Sequence, residues 1–466
     1  MASRCSILAA AVASFVAVVT AAACSSSRSP SPSQATDETF ASKIEPLVRE
    51  KCQTCHREGG IAPFSLVTYE QVRDVAPIAR DKVARREMPP WGTFDDPSCD
   101  VQHGFKGDLS LTQEQIDMFV RWVDRGMPRG APTGQSPMSP QIPTASAIEP
   151  LGLAGKTNTF EVGEDHIVEA GAEDDIRCFP VDTGLADDAW VAESIVVPAD
   201  PKVVHHALVY LDPDHEGVRK SGNEKSYSCF GGSELTNPTL LLAWSPGGTS
   251  TSYGENAALR IPKGAHLVVQ VHYHPLATAT TGRTSVEVRT IPQKPEHVAM
   301  FALLGNSESA TDRSSKLLPG PDDPKDGPEF LIPSNAKNHV ETMDIRVPIG
   351  ADGAHVTAVG AHMHWAGVGM RVEVERRRGD EKNECLLNTK YDFAWQRTYA
   401  YDTPFELAPR LHAGDTIRIT CTYDNTKDNR YIVRAMSEQR RSTPAPIRLG
   451  GTSADEMCQA ILVLVQ

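Results

Sequence analysis

The sequence predicts a multidomain chain: a small all-α unit near the N-terminus, followed by two all-β, jelly-roll-like sandwiches. Three observations predict it. Helical spacing of apolar residues is confined to residues 38–130. Stretches rich in Ser and Pro, 24–37 and 131–150, set that unit off as a tether and a linker. Beyond residue 150, Gly and Pro punctuate short alternating runs of Val, Ile, Leu and Tyr, with no long helical period through to Gln466. A chain of 466 residues with 40% apolar content has room for this, since domains commonly run to about 100–200 residues.

At the start, Arg4 precedes an apolar run from Ile7 to Ala23, too short for a membrane span, which ends in Ala21-Ala22-Ala23-Cys24. Residues 1–23 therefore read as an export signal peptide. The small residues before Cys24 and the Ser-rich stretch after it resemble a bacterial lipoprotein cleavage box. That resemblance implies acylation of Cys24 and a location in the cell envelope, lipid-anchored at a membrane and facing the periplasm or exterior. Ala21 departs from the leucine usual there, and ordinary cleavage after Ala-x-Ala is the alternative. The charge balance, 46 basic against 60 acidic residues and a net of −14, offers no basic stripe and excludes nucleic acid as a partner.

The helical unit, 38–130, opens with Phe40, Ile44, Leu47 and Val48 at helical spacing and leads into Cys52-Gln53-Thr54-Cys55-His56. Cys-x-x-Cys-His fixes a c-type haem through two thioethers and offers its histidine to the iron. Thr68 with Gln71 and Thr112 with Gln115 have the spacing of capping boxes. A last helix carries Ile116, Phe119, Val120 and Val123 and stops at Gly126. This is the pattern of a three-helix cytochrome c, and residues 52–128 resemble cytochrome c domains of bacterial envelope proteins. Met88 is the expected sixth haem ligand, a thioether that favours ferrous iron; His103, Met118 and Met127 compete with it.

The β half divides into sandwiches expected at 151–296 and 297–466. It holds three histidine clusters: His205-His206, His272-Tyr273-His274 and His362-Met363-His364. On a strand, His272 and His274 share a face, as do His362 and His364, so each pair could chelate one ion. His205 and His206 point to opposite faces of a regular strand and could serve one ion only at a bulge or strand end. Imidazole suits Zn, Cu or Fe. Of the ten cysteines, Cys5 lies in the signal, Cys24 is the lipid site, and Cys52 and Cys55 hold haem. Six remain for up to three bridges in an oxidising compartment.

Val-Val-His-His-Ala (203–207), Leu-Val-Val-Gln-Val-His-Tyr (267–273), Ala-Trp-Ser-Pro-Gly-Gly (243–248), Gly-Ala-His-Met-His (360–364) and Asp-Glu-Met-Cys (455–458) together resemble the copper type II, ascorbate-dependent monooxygenases. These are the relatives of peptidylglycine α-hydroxylating monooxygenase and dopamine β-hydroxylase, and the resemblance covers about residues 155–466. It implies two copper ions: one on His205, His206 and His272 for electron transfer, and one on His362, His364 and Met457, where O₂ and substrate meet. Imidazoles with a thioether favour Cu(I). His274 has no counterpart in the family motif. The resemblance also implies bridges Cys178–Cys229 and Cys421–Cys458, leaving Cys99 and Cys385 to pair or stay free.

Gly360 stands where peptide-amidating members carry an arginine, and Ile461 where they carry a tyrosine, so a peptidylglycine carboxylate would lack its clamp. The expected function is hydroxylation of a C–H bond of a small organic substrate with O₂, with electrons from ascorbate or a redox protein and relayed by the fused haem. The rival expectation is a non-catalytic electron-transfer or copper-binding lipoprotein.

Overall fold

A computed structural model describes residues 38–131 and 156–466, save 59, 61, 94–97, 170–174, 201–202, 230–231, 237, 245–249, 254–255, 274–277, 307–314, 322, 324–327, 378–381 and 451. The expected signal peptide, the tether with Cys24, residues 132–150 of the linker, and His274 lie outside the described residues.

Helices Glu45–Lys51, Tyr69–Ala84 and Gln113–Asp124 follow a short π-helix, Phe40–Ile44. The capping boxes form: Thr68 Oγ1 accepts from Gln71 N at 3.2 Å while Gln71 Oε1 accepts from Thr68 N at 3.0 Å. Thr112 and Gln115 do the same. These helices bury Phe40, Ile44, Leu47, Val48, Phe119 and Trp122 in a small core of their own. Burial of each such side chain contributes about 1.5–3 kcal/mol.

Here one expectation is corrected. Among the described residues the molecule is mostly β-sheet with few helices, and no all-α cytochrome c domain stands apart over 38–130. Described residues between Arg85 and Thr112 carry no helix and run along the β half. Lys390 N donates to Gly92 O at 3.0 Å, Lys106 N to Ala400 O at 2.8 Å, and Asp402 N to Gly104 O at 2.7 Å. Trp91 meets Tyr399 at a ring distance of 5.1 Å, Phe105 stacks on Tyr401 at 5.3 Å, and Cys99 is bridged to Cys385. Gly92 is required at this seam, because a Cβ there would fall 2.3 Å from Lys390 O. The physical reason is backbone satisfaction: an irregular segment must find partners for its N–H and C=O groups, and this one finds them on a sheet far away in sequence.

The β half is layered as sandwiches, but they share a sheet. Its spatial order is Lys156–Glu161, Ser285–Ile291, Ala189–Val197, Ala257–Ile261, His297–Asn306, Cys458–Val465, His355–His362 and Thr398–Ala400, with Thr251–Ser252 paired off this path. The halves join where His297–Asn306 runs parallel to Ala257–Ile261. One five-stranded sheet, centred on His266–Tyr273, forms a core with the first half through Val191, Val209, Leu267, Val269 and Val286. Another, centred on Thr416–Asp424, packs on the second half through Val356, Met370, Leu386, Ile419 and Leu462. All eight residues of Cys458–Val465 are buried, as a central strand covered on both faces requires.

The bridges Cys178–Cys229 and Cys421–Cys458 form as the family resemblance implied, with Cα atoms 5.7 and 5.8 Å apart. The second ties the residue after Met457 to the facing sheet.

Candidate metal sites

The strand His266–Tyr273 alternates as read. Leu267, Val269, Val271 and Tyr273 enter the core, while Gln270 on the other face donates to Cys229 O at 3.0 Å and Gly232 O at 2.8 Å. On that same face His272, 2% exposed, lies directly across from His206, and their rings meet nearly perpendicular at 4.8 Å. The register then shifts, Tyr273 pairing with Val204, so the backbone bulges at His205. A bulge is the irregularity that lets neighbouring residues turn to one side. The side chain of His205 lies outside the described residues.

His362 ends the strand His355–His362, and His364 follows in the turn to Gly367–Glu375. Their rings are 5.5 Å apart. His364 is 3% exposed, and Met457, at the head of the neighbouring strand, is 6% exposed. His362 Nδ1 lies 2.8 Å from Gln396 Oε1, and His364 Nδ1 lies 3.3 Å from Asp455 O. Carbonyl oxygens only accept, so each Nδ1 carries the proton and each Nε2 keeps its lone pair, the state a metal-binding imidazole needs. Burial holds both rings neutral: it lowers the pKa of His362, and it brings that of His364 down to about 3, with His362 adding repulsion.

Two further groups support this turn, and neither drew notice in the sequence. Glu456, fully buried, accepts backbone N–H bonds from His364, Ala366, Gly367 and Met457. Burial raises its pKa, while those N–H groups pull it down and favour the carboxylate. Tyr391 Oη accepts from Met363 N at 3.2 Å and donates to Met363 O. Glu456 follows Asp455 in a polar stretch and Tyr391 lies between Lys390 and Asp392, so neither stands out along the chain.

The two histidine pairs do not merge, and among the described residues no three His, Cys, Asp or Glu side chains converge. Each pair needs a third donor: the thioether of Met457 suits one, and His205 precedes His206 in the other. Phe393 stands between them, 6.1 Å from the His272 ring and 6.5 Å from Trp365, the residue after His364.

In the N-terminal segment, Cys52, Cys55 and His56 share one turn, with His56 N donating to Cys52 O at 3.0 Å. Cys52 and Cys55 are the cysteines outside disulfides among the described residues. Burial pushes the Cys52 thiol up to about 12 and raises that of Cys55. His56 Nδ1 is 3.2 Å from Phe64 O, which leaves its Nε2 lone pair available. Met88, 37% exposed, lines a cleft with Pro89, Trp91, Leu111 and Ile116, and His56 is not among the lining residues.

Residues 328–464 match the family model of the copper type II ascorbate-dependent monooxygenase, C-terminal domain. The chain is also similar to DBH-like monooxygenase protein 1 of Mus musculus, 27% identical over 250 residues, covering 51% of this chain and 37% of that protein. The Homo sapiens protein of the same name is 25% identical over 253 residues, again covering 51% of this chain and 37% of its own length. The match spans little more than a third of these relatives. His362, His364 and Met457 fall inside the stretch matched by the family model, and the β-rich half of the chain is similar to the copper type II, ascorbate-dependent monooxygenases.

Proposed function

We propose that the protein is an exported, haem- and copper-dependent monooxygenase that hydroxylates a C–H bond of a small organic substrate with O₂, using ascorbate or a redox protein as electron donor. The observation that carries the reading is the pair His362, half-buried, and His364, buried, both neutral and each committed through Nδ1 to a carbonyl, with Met457 buried at the head of the neighbouring strand. In this reading His362, His364 and Met457 hold one copper, and His205, His206 and His272 hold the other. When bound, copper supplies the one-electron redox chemistry that O₂ activation requires, and two imidazoles with a thioether favour Cu(I). The chain's own part is to fix the tautomers, keep the imidazoles unprotonated and exclude water.

A c-type haem on Cys52, Cys55 and His56, with Met88 as sixth ligand, belongs to the same reading. Its two thiols are free of disulfides, and His56 has the tautomer a proximal ligand needs. When bound, such a haem supplies one-electron transfer. Its role as donor is supported by the seam: Trp91 stacks on Arg397 at 5.5 Å, and the next residue back, Gln396, holds His362. Lipidation at Cys24 would place the enzyme at the cell envelope.

The acceptor is read as uncharged where peptide-amidating members bind a carboxylate. Gly360 offers no guanidinium, and a Cβ there would already press on Arg397 O and Thr398 Oγ1 at 3.0 Å. Ile461 packs in an apolar cluster.

The test is oxygen uptake with copper, ascorbate and candidate small molecules, with products searched by mass spectrometry. Uptake coupled to an oxygenated product supports the reading. Copper binding with no oxygenated product from any donor would favour the non-catalytic alternative. Haem that resists acid-acetone extraction, and is lost in Cys55→Ser, supports covalent attachment.

A further inference from the structure

Glu456 is a buried carboxylate to which the proposed reaction gives no part. Its Oε2 accepts from His364 N at 2.9 Å and from Met457 N at 3.1 Å. Its Oε1 accepts from Ala366 N at 2.7 Å and Gly367 N at 3.1 Å. One oxygen thus gathers the backbones of two residues far apart in the chain, and the other pins the turn that follows His364. The preceding residue adds a third tie, since Asp455 O accepts from His364 Nδ1. Backbone bonds hold Glu456 itself: its N–H donates to Arg448 O at 3.0 Å and its carbonyl accepts from Gly450 N at 3.1 Å.

Burying a carboxylate is costly, and a well-packed apolar side chain of similar volume is commonly as good for stability or better. Four convergent N–H bonds offset that cost only in one arrangement of the donors. What the group contributes is therefore geometry. We propose that Glu456 is the positioning residue of the His362, His364 and Met457 ligand set, locking His364 and Met457 against each other before the metal arrives. The proposal rests on those three residues being copper ligands.

Glu456→Gln keeps the volume but turns one acceptor into a donor, which then faces two N–H groups. The probe is Cu(I) itself, titrated into the full chain against a competing chelator, with X-ray absorption reporting the copper–thioether bond. Support for a ligand partner of this kind is worth about 10- to 100-fold in metal affinity. Cu(I) affinity at this site should fall by about that factor, with a weakened thioether signal, while the other copper binds as before. Unchanged affinity and an unchanged thioether signal, with only a lower melting temperature, would show a merely structural role and overturn the proposal. Met457→Leu is the control for the underlying reading: if it leaves the wild-type thioether signal intact, the ligand assignment has failed, and the proposal with it. If Glu456→Gln does not fold, hydrogen exchange on the metal-free wild-type protein decides. Protected amides at His364 and Met457 support a site set in advance, and fast exchange there overturns it.

Discussion

Replacing Gln396 with leucine tests how the site holds His362. Gln396 Nε2 points to Phe393 O at 3.4 Å, which orients the amide so that Oε1 faces His362 Nδ1 at 2.8 Å. Leucine fills similar space and accepts nothing. The imidazole N–H would then be buried without a partner, at a cost of about 1–3 kcal/mol. It has one escape, moving its proton to Nε2, and that removes the lone pair meant for copper. The same loss seen through metal binding is about 10- to 100-fold, near 1.4–2.7 kcal/mol at about 1.36 kcal/mol per tenfold. Urea unfolding of the metal-free protein and copper titration of the same samples measure the two faces of one bond. Gln396→Glu should go the other way on affinity, because a carboxylate partner makes the imidazole a stronger ligand. Leucine and glutamate variants that bind copper as the wild type does would refute the tautomer argument.

Acidification of the metal-free protein should remove the stability that a neutral, buried His364 contributes. His364 titrates near 3 when folded and at its ordinary value of about 6.5 when unfolded. Between those values the unfolded chain binds more protons at this site, so its contribution falls by up to about 1.4 kcal/mol per pH unit below 6.5; His362 acts in the same direction, and Glu456, whose pKa burial raises, in the opposite one. Melting curves of wild type and His364→Asn compared from pH 7 to 4 check this, the wild type losing stability relative to the variant as pH falls. Cys99→Ser with Cys385→Ser opens a loop of 286 residues, for which chain entropy predicts a loss on the order of 5 kcal/mol. Limited proteolysis should then cut between Met88 and Leu111 first, and equal resistance in both proteins would argue against the bridge as the main fastening of that segment. Gly360→Ala should cost about 1–3 kcal/mol by overpacking against Thr398, read as a lower melting temperature.

Local and short-range features were legible in the sequence because their causes lie within a few residues. The capping boxes at Thr68 and Thr112 and the alternation of Leu267 to Tyr273 follow from bonds and side-chain directions that the chain sets on its own. The order of the histidine and methionine motifs was enough to suggest the copper family and two of the three disulfides. Tertiary structure decided the rest. An all-α unit was expected where helices stand, but the irregular stretch between them satisfies its backbone on strands some 300 residues away, which no periodicity reports. The pairing of Cys99 with Cys385 belongs to that same seam. The sheet shared by the two sandwiches depends on one parallel pairing between His297 and Ala257, invisible to alternation within either strand. Glu456, Gln396 and Tyr391 acquire meaning only through what folding brings against them, because a side chain's hydrogen-bond partners are set by packing and not by its place in the chain.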